Sequence, residues 1–252
     1  MRRILLYFSL KYHGDYQLIL QAIRQKEKVV KEKLQTIEEK IQSKYVTIID
    51  KDYPEMLKHI NNPPWVLYYY GDLSLLNKKT LAIIGARKNT SYGKKMCQKI
   101  IQECKDYNCN VISGLAMGID AIAHQSAFEF QLSTIAVLGS GIDYCYPKSN
   151  IDLYNRIKAH GLLISEYPNS TKPQKQFFLV RNRLIAALSE QVVVIEASCQ
   201  SGTMNTVTYA LEFGKDVGCV PNLATLNSGC NQLIKQGAKL IESASDIFEE
   251  KT

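Results

Sequence analysis

Residues 81–93 read LAIIGARKNTSYG: an apolar run, a glycine, an arginine two residues beyond it, and a polar stretch leading onward. The same grammar recurs at NVISG (110–114), TIAVLG (134–139), LLISE (162–166), QVVVIEA (191–197), DVGCVPN (216–222) and AKLIES (238–243). Helix-like segments of about 10–18 residues separate most of these runs. Continuous apolar strands joined by crossovers mark a parallel sheet covered on both faces. The expected fold class is therefore α/β, with a doubly wound, mainly parallel, extended Rossmann-like sheet over residues 78–252.

Upstream the pattern differs. Residues 1 to about 45 contain no Pro and read as helical, and Val30, Leu34, Ile37 and Ile41 recur at the spacing of one amphipathic helix. The stretch YPEMLKHINNPPWVLYYYGDL (53–73) then brings Pro54, Pro63, Pro64 and the sole Trp, Trp65. Pro-Pro before a β-branched and aromatic run predicts a turn entering a short strand. The expected organisation is a small helical N-terminal domain (1–52), a docking connector (53–77) and the Rossmann-like core (78–252).

The 252 residues carry a net charge of +7, unevenly spread. Residues 1–80 hold 14 basic and 9 acidic groups, residues 81–190 hold 13 and 8, and residues 191–252 hold 4 and 7. Such an excess suits an anionic partner, although a Lys-rich solubilising surface explains much of it. The seven Cys include no C-x-x-C pair and the four His are scattered, so reduced thiols are expected and no metal or cofactor is called for. The start MRRILLYFSLKYHGD has an apolar run of about seven residues and no small-residue cleavage site, unlike a secretory signal. No stretch approaches the ~18 apolar residues of a membrane span. The expected location is the cytoplasm, away from membranes.

In doubly wound sheets ligands bind beyond the carboxyl ends of the strands, near the switch point. Here those ends bring Gly85 and Arg87; Ser113, Gly114 and Gly118; Gly139, Gly141 and Lys148; Lys172 and Lys175; and Ser201, Gly202 and Thr203. The segment FFLVRNRLIAAL (177–188) adds Arg181, Asn182 and Arg183, two of the chain's seven Arg. If Asn182 or a neighbour caps the helix that buries Leu184, Ile185 and Leu188, both Arg stand at a helix N-terminus. The dipole disfavours cations there, and an anion relieves the conflict: a ligand phosphate, or an internal carboxylate such as Glu166 or Glu196. The glycine turns offer N–H groups to oxyanions. Phe177 and Phe178 read as core residues or as a stacking surface.

Two catalytic readings fare worse. GSGIDY matches two glycines of G-x-G-x-x-G, with Tyr144 at the third, and lies on the third strand of the repeat. Asp120 and His124 stand i, i+4 on a helix, a spacing for a metal, an acid/base pair or a structural hydrogen bond, with no third ligand nearby. The strand-end edge offers cations and helix starts but no nucleophile with its base. Arg makes bidentate phosphate contacts and stacks on bases. The edge suits a phosphate-bearing ligand that is held rather than transformed.

The ordered series IIGARKNTSYG, VISGLAMGIDAIAH, TIAVLGSGIDYCYP, LISEYP, FFLVRNRLIAALS, VVVIEASCQSGT and NQLIKQGA resembles the DNA-processing protein A (Smf) family over about residues 53–242. The resemblance implies a Rossmann-like protein without established catalysis, which binds single-stranded DNA during natural transformation, dimerises, and loads a RecA-type recombinase onto the strand. By motif it carries DNA contacts to Arg87, Lys148 and Lys172 or Lys175, and dimerisation to the region near 205–241. The strand-end set expected to meet DNA is thus Gly85, Arg87, Ser113, Gly114, Gly139, Gly141, Lys148, Lys172, Lys175, Phe178, Arg181, Asn182 and Arg183. Departures are Met117 for a usual basic residue, Met204-Asn205-Thr206 after Ser-Gly, and Pro221-Asn222 for Pro-Gly. The winged helix that many members carry at the C-terminus is not expected in this chain.

An enzyme of the related lysine-decarboxylase-like (LOG) group, a nucleotide-processing hydrolase, is the alternative. Its P-G-G-x-G-T-x-x-E motif, set on Gly202-Thr203, puts Thr206 where the catalytic Glu belongs. A nicotinamide-dependent oxidoreductase founders on the broken glycine fingerprint.

Overall fold

A computed structural model of the chain describes residues 1–169, 171–224 and 227–249. Residues 170, 225, 226 and 250–252 of the expected core lie outside the described residues. Helices α1 (Arg2–Lys11), α2 (Tyr16–Arg24) and α3 (Lys31–Gln35) lead into strand β1 (Lys44–Thr47), helix α4 (Glu55–Lys58) and strand β2 (Val66–Gly71). Regular alternation begins with β3 (Thr80–Gly85), α5 (Ser91–Glu103), β4 (Asn110–Ser113), α6 (Ile119–Glu129), β5 (Thr134–Val137), α7 (Ile151–His160) and β6 (Leu162–Ser165). It continues through α8 (Lys175–Ala187), β7 (Gln191–Glu196), α9 (Gly202–Glu212), β8 (Asp216–Cys219), α10 (Gly229–Lys235), β9 (Lys239–Leu240) and α11 (Ser245–Phe248). Every apolar run singled out above contains a strand.

The strands form one nine-stranded sheet in the order β1-β2-β6-β5-β4-β3-β7-β8-β9. From β3 to β9 the neighbours run parallel, while β2 lies antiparallel to both β6 and β1. The chain winds outward from β3 through β4 and β5 to β6, then returns to lay β7 on the other side of β3. That reversal opens a crevice beyond the ends of β3 and β7. Alternate side chains feed the two layers. Ala82, Ile84, Val192 and Val194 pack with α8, α9 and α10 residues, whereas Leu81, Ile83, Val193 and Ile195 pack with α5 and α6 residues.

The N-terminal stretch departs from expectation. Residues 30–41 are not one helix: α3 is five residues long, and Ile37–Lys40 form a separate 3-10 turn. Val30 is exposed, and α3 has no side-chain N-cap. Ile37 is buried against Leu5 and Leu6, so tertiary contact overrides the helical period here. β1 falls where helix was expected. Its Tyr45 and Val46 bury on opposite faces of the sheet, a use suited to aromatic and β-branched residues. The short strand after Pro63-Pro64 is present as β2, paired with β6 as part of the main sheet.

Candidate functional site

A cleft of about 800 Å³ lies at the switch point. Gly85 comes from the end of β3, Arg87 and Lys88 from the turn after it, and Glu196 and Ser198 from the end of β7. Lys175, Phe178, Arg181 and Asn182 come from α8, and Gly202, Thr203 and Thr206 from α9. A side pocket adds Gly114, Met117 and Pro147 to Arg87, Tyr146, Phe178 and Arg181, which line the cleft as well. Arg87 is exposed, and its guanidinium makes no ion pair or hydrogen bond among the described residues. The Tyr146 and Phe178 rings meet at 5.2 Å between centroids, tilted by 36°.

Helix α8 starts at Lys175, earlier than the Arg-Asn-Arg triplet suggested, because Gln174 begins it with no side-chain cap to mark the place. Arg181, Asn182 and Arg183 therefore stand inside the helix, and the proposed capping role of Asn182 is corrected. Its side-chain amide donates instead to Gly202 O (3.3 Å) and Asn205 Oδ1 (3.2 Å), tying α8 to α9. Arg183 is 6% exposed and pairs with Glu166 at 2.5 Å, which makes its partner the internal carboxylate. Arg181, 4% exposed, donates from Nη1 to Gly114 O at 2.7 Å and to Val137 O. Burial pulls the Arg181 guanidinium down to about 10, Asp120 counteracts this, and the like charge of Arg87 pulls the same way as burial. Two guanidiniums thus share one cleft.

The glycine turns serve the fold more than the cleft. A Cβ on Gly114 would fall 2.5 Å from Arg181 Nη2, and its N–H goes to Asp120 Oδ2 at 3.2 Å. Gly139 makes room for Phe178, whose Cδ1 would lie 2.6 Å from an added Cβ. The Gly141 N–H donates to Thr171 O, and the Ser113 hydroxyl to Ile83 O. At Gly114 and Gly141 the N–H groups expected to meet oxyanions are already satisfied. Gly118, at φ +76, lies so close to Ala86 O that a side chain is strained on both counts.

Asp120 and His124 do not act together. Asp120 accepts from Gly114 and Ala116 N–H; burial pushes its carboxyl up, and Arg181 opposes that. His124 Nδ1 meets Thr134 Oγ1 at 2.6 Å, and burial holds its imidazole down at about 3. Among the described residues no group of three His, Cys, Asp or Glu has the arrangement of a metal site.

Of the thirteen expected site residues, Gly85, Arg87, Lys175, Phe178, Arg181 and Asn182 meet at the cleft, and Gly114 at its side pocket. Lys148 and Lys172 are exposed beside Pro147 and Pro173, which line the two openings. Ser113, Gly139, Gly141 and Arg183 are buried or tightly packed away from it. Tyr146 and Asn227 line the cleft and were not singled out, and Asn222, noted only as a departure from the family pattern, lines it too. For Tyr146 the signal was its place two residues before Lys148, in the CYPK run.

A sequence model of the family described as DNA recombination-mediator protein A matches residues 44–252, from the first residue of β1 onward. The chain belongs to this recombination-mediator family. The DNA processing protein DprA of Bacillus subtilis (strain 168) is 41% identical over 208 residues, which span 81% of this chain and 70% of the relative. An X-ray structure of DNA processing protein A from Streptococcus pneumoniae matches with a TM-score of 0.83 and 35% identity, covering 94% of this chain and 82% of that one. A structure of the Helicobacter pylori protein, described for a unique single-stranded DNA binding mode, matches with a TM-score of 0.74 and 31% identity, covering 82% of this chain and 94% of that one. The mediator fold thus extends over the sheet and cleft described above. Among the described residues no helix is long and apolar enough to cross a membrane.

Proposed function

We propose that this recombination mediator binds single-stranded DNA in the switch-point cleft and holds it without chemical change. One observation carries the reading: the exposed Arg87 guanidinium stands beside buried Arg181, with the Tyr146–Phe178 pair on the same wall. Two like charges held together favour an anion between or beside them, and exposed aromatic edges suit an unpaired base. Lys175, Lys148 and Lys172 extend the positive rim along which neighbouring phosphates run. A relative of the same fold described for single-stranded DNA binding supports the assignment.

Membership of the family supports a wider role. The protein protects incoming single strands during natural transformation in the cytoplasm and passes them to a RecA-type recombinase. It does so as a homodimer through the region near 205–241, where Leu211 of α9 is 61% exposed. The hydrolase alternative finds buried Thr206 where its carboxylate belongs.

Fluorescence anisotropy of labelled oligothymidine against salt tests the binding. Affinity should fall steeply, with log K dropping by about 0.7 per phosphate neutralised for each unit of log salt. Absence of binding at low salt, or a flat slope, refutes the reading. Light scattering and recombinase-filament assays test the dimer and the hand-off.

A further inference from the structure

Glu196 is out of place in a channel built only for phosphates. It ends β7 half-buried in the cleft lining, and strand register sets it beside the Gly85 turn, with which it pairs. Its carboxylate is fixed. Oε2 accepts from both the Thr90 N–H and the Thr90 hydroxyl at 3.0 Å. Gly93 leaves room for it, since a Cβ there would fall 2.1 Å from that oxygen. Oε1 has no hydrogen-bond partner among the described residues. The other carboxylate on the lining, Asp120, is 7% exposed and already bonded to two backbone N–H groups.

A fixed negative charge weakens backbone binding in a cleft whose cations recruit phosphates, unless the ligand brings donors to it. Unpaired bases bring donors on their Watson–Crick edges. The cleft volume lies within the range that encloses small ligands, so a base fits there beside its phosphate. Of the four DNA bases, guanine alone sets two adjacent donors, N1–H and the N2 amine, against a carboxylate. Adenine and cytosine place a ring-nitrogen acceptor next to their one amine, and thymine flanks its single N–H with two carbonyls. Those acceptors repel a carboxylate.

We propose that Glu196 makes the cleft guanine-selective, accepting from the edge of one unpaired guanine while Arg87 and Lys175 hold the adjoining phosphates. The inference rests on the cleft being a single-stranded DNA site, and adds a base preference to contacts that otherwise tolerate any sequence.

The test is anisotropy at fixed salt with oligothymidine carrying one central dG, deoxyinosine, dA or dC. The dG strand should bind about tenfold tighter than the dA and dC strands, with deoxyinosine, which lacks the N2 amine, between them. Glu196→Gln keeps an oxygen for Thr90 but replaces the unpartnered Oε1 with an amide donor. It should abolish the dG preference, bringing the dG strand to the affinity of the dA and dC strands. Circular dichroism confirms that the variant is folded, and Glu196→Ala gives a second measure of lost preference. Equal binding of all four wild-type complexes, with oligothymidine binding intact, overturns the inference and leaves Glu196 a helix cap. A dG preference surviving both substitutions also overturns it. If no strand binds even at low salt, it is the reading of the cleft itself that falls, and the inference with it.

Discussion

Arg183 and Glu166 face each other inside the protein at 2.5 Å, each almost sealed from water. Glu166 follows β6 and Arg183 stands within α8, so the pair pins the helix to the end of that strand. Removing one partner strands the other charge in a low-dielectric site. Arg183→Ala should lower unfolding free energy by about 3–5 kcal/mol in urea titrations. The double change Arg183→Met with Glu166→Leu should recover most of that loss. A single variant as stable as the wild type would show that the pair contributes no net stability.

The two guanidiniums of the cleft should behave oppositely. Arg87 is exposed and has no ion pair or hydrogen bond among the described residues, so Arg87→Ala should change stability by no more than about 0.5 kcal/mol. It should weaken single-stranded DNA binding and reduce the salt slope by about 0.7. Arg181→Ala leaves Gly114 O and Val137 O without their donor and buried Asp120 without its nearby positive charge, and should cost about 3 kcal/mol or more. Thermal melts set beside anisotropy titrations separate the two. Equal melting temperatures for both variants would mean that Arg181 is not structural.

This contrast shows what the sequence disclosed. The runs of β3 to β8 were legible because a strand buried on both faces leaves an uninterrupted apolar signature, whereas the two residues of β9 are exposed and only its apolar neighbour Ile241 is buried. The cleft was legible in outline, because switch-point geometry follows from strand order and Arg87 trails Gly85 by two residues. The fates of Arg181 and Arg183 were not. An uncapped start at Gln174 leaves no local mark, so the triplet looked like the head of a helix whose true beginning is Lys175. Only long-range partners, 67 residues away for Gly114 and 17 for Glu166, decide that these cations are buried. β1 escaped notice for a related reason: four residues after a Lys/Glu-rich stretch carry little period, and pairing with β2 makes the strand.

His124 supplies a pH dependence. Its imidazole is fully enclosed and held down at about 3 by burial, with the Arg181 charge acting the same way. The unfolded chain takes up a proton near pH 6.5, whereas the folded chain refuses it until about 3. Between those values the unfolded state binds more protons, so stability falls as pH falls. The slope due to this residue is at most about 1.4 kcal/mol per pH unit. His124→Asn keeps a polar atom near Thr134 Oγ1 and does not titrate. Denaturant midpoints measured from pH 7 to pH 4 should decline less steeply for this variant than for the wild type. Parallel declines would remove His124 from the account of acid sensitivity.

Gly139 and Phe178 give a test of how the cleft wall is held. An added Cβ would stand 2.6 Å from Phe178 Cδ1 and 3.1 Å from its Cα, so both ring and helix backbone must shift. Overpacking of this kind costs about 1–3 kcal/mol of stability. The ring also meets Tyr146, so its displacement disturbs the aromatic wall offered to a base. Phe178→Ala should weaken single-stranded DNA binding by roughly tenfold, the lower end of base–aromatic stacking. Gly139→Ala should reproduce part of that loss although Gly139 does not line the cleft. If it acts through the ring, the double variant binds no worse than Phe178→Ala alone, since the shared step is lost only once. Additive losses in anisotropy would show instead that Gly139 influences binding by a route independent of Phe178.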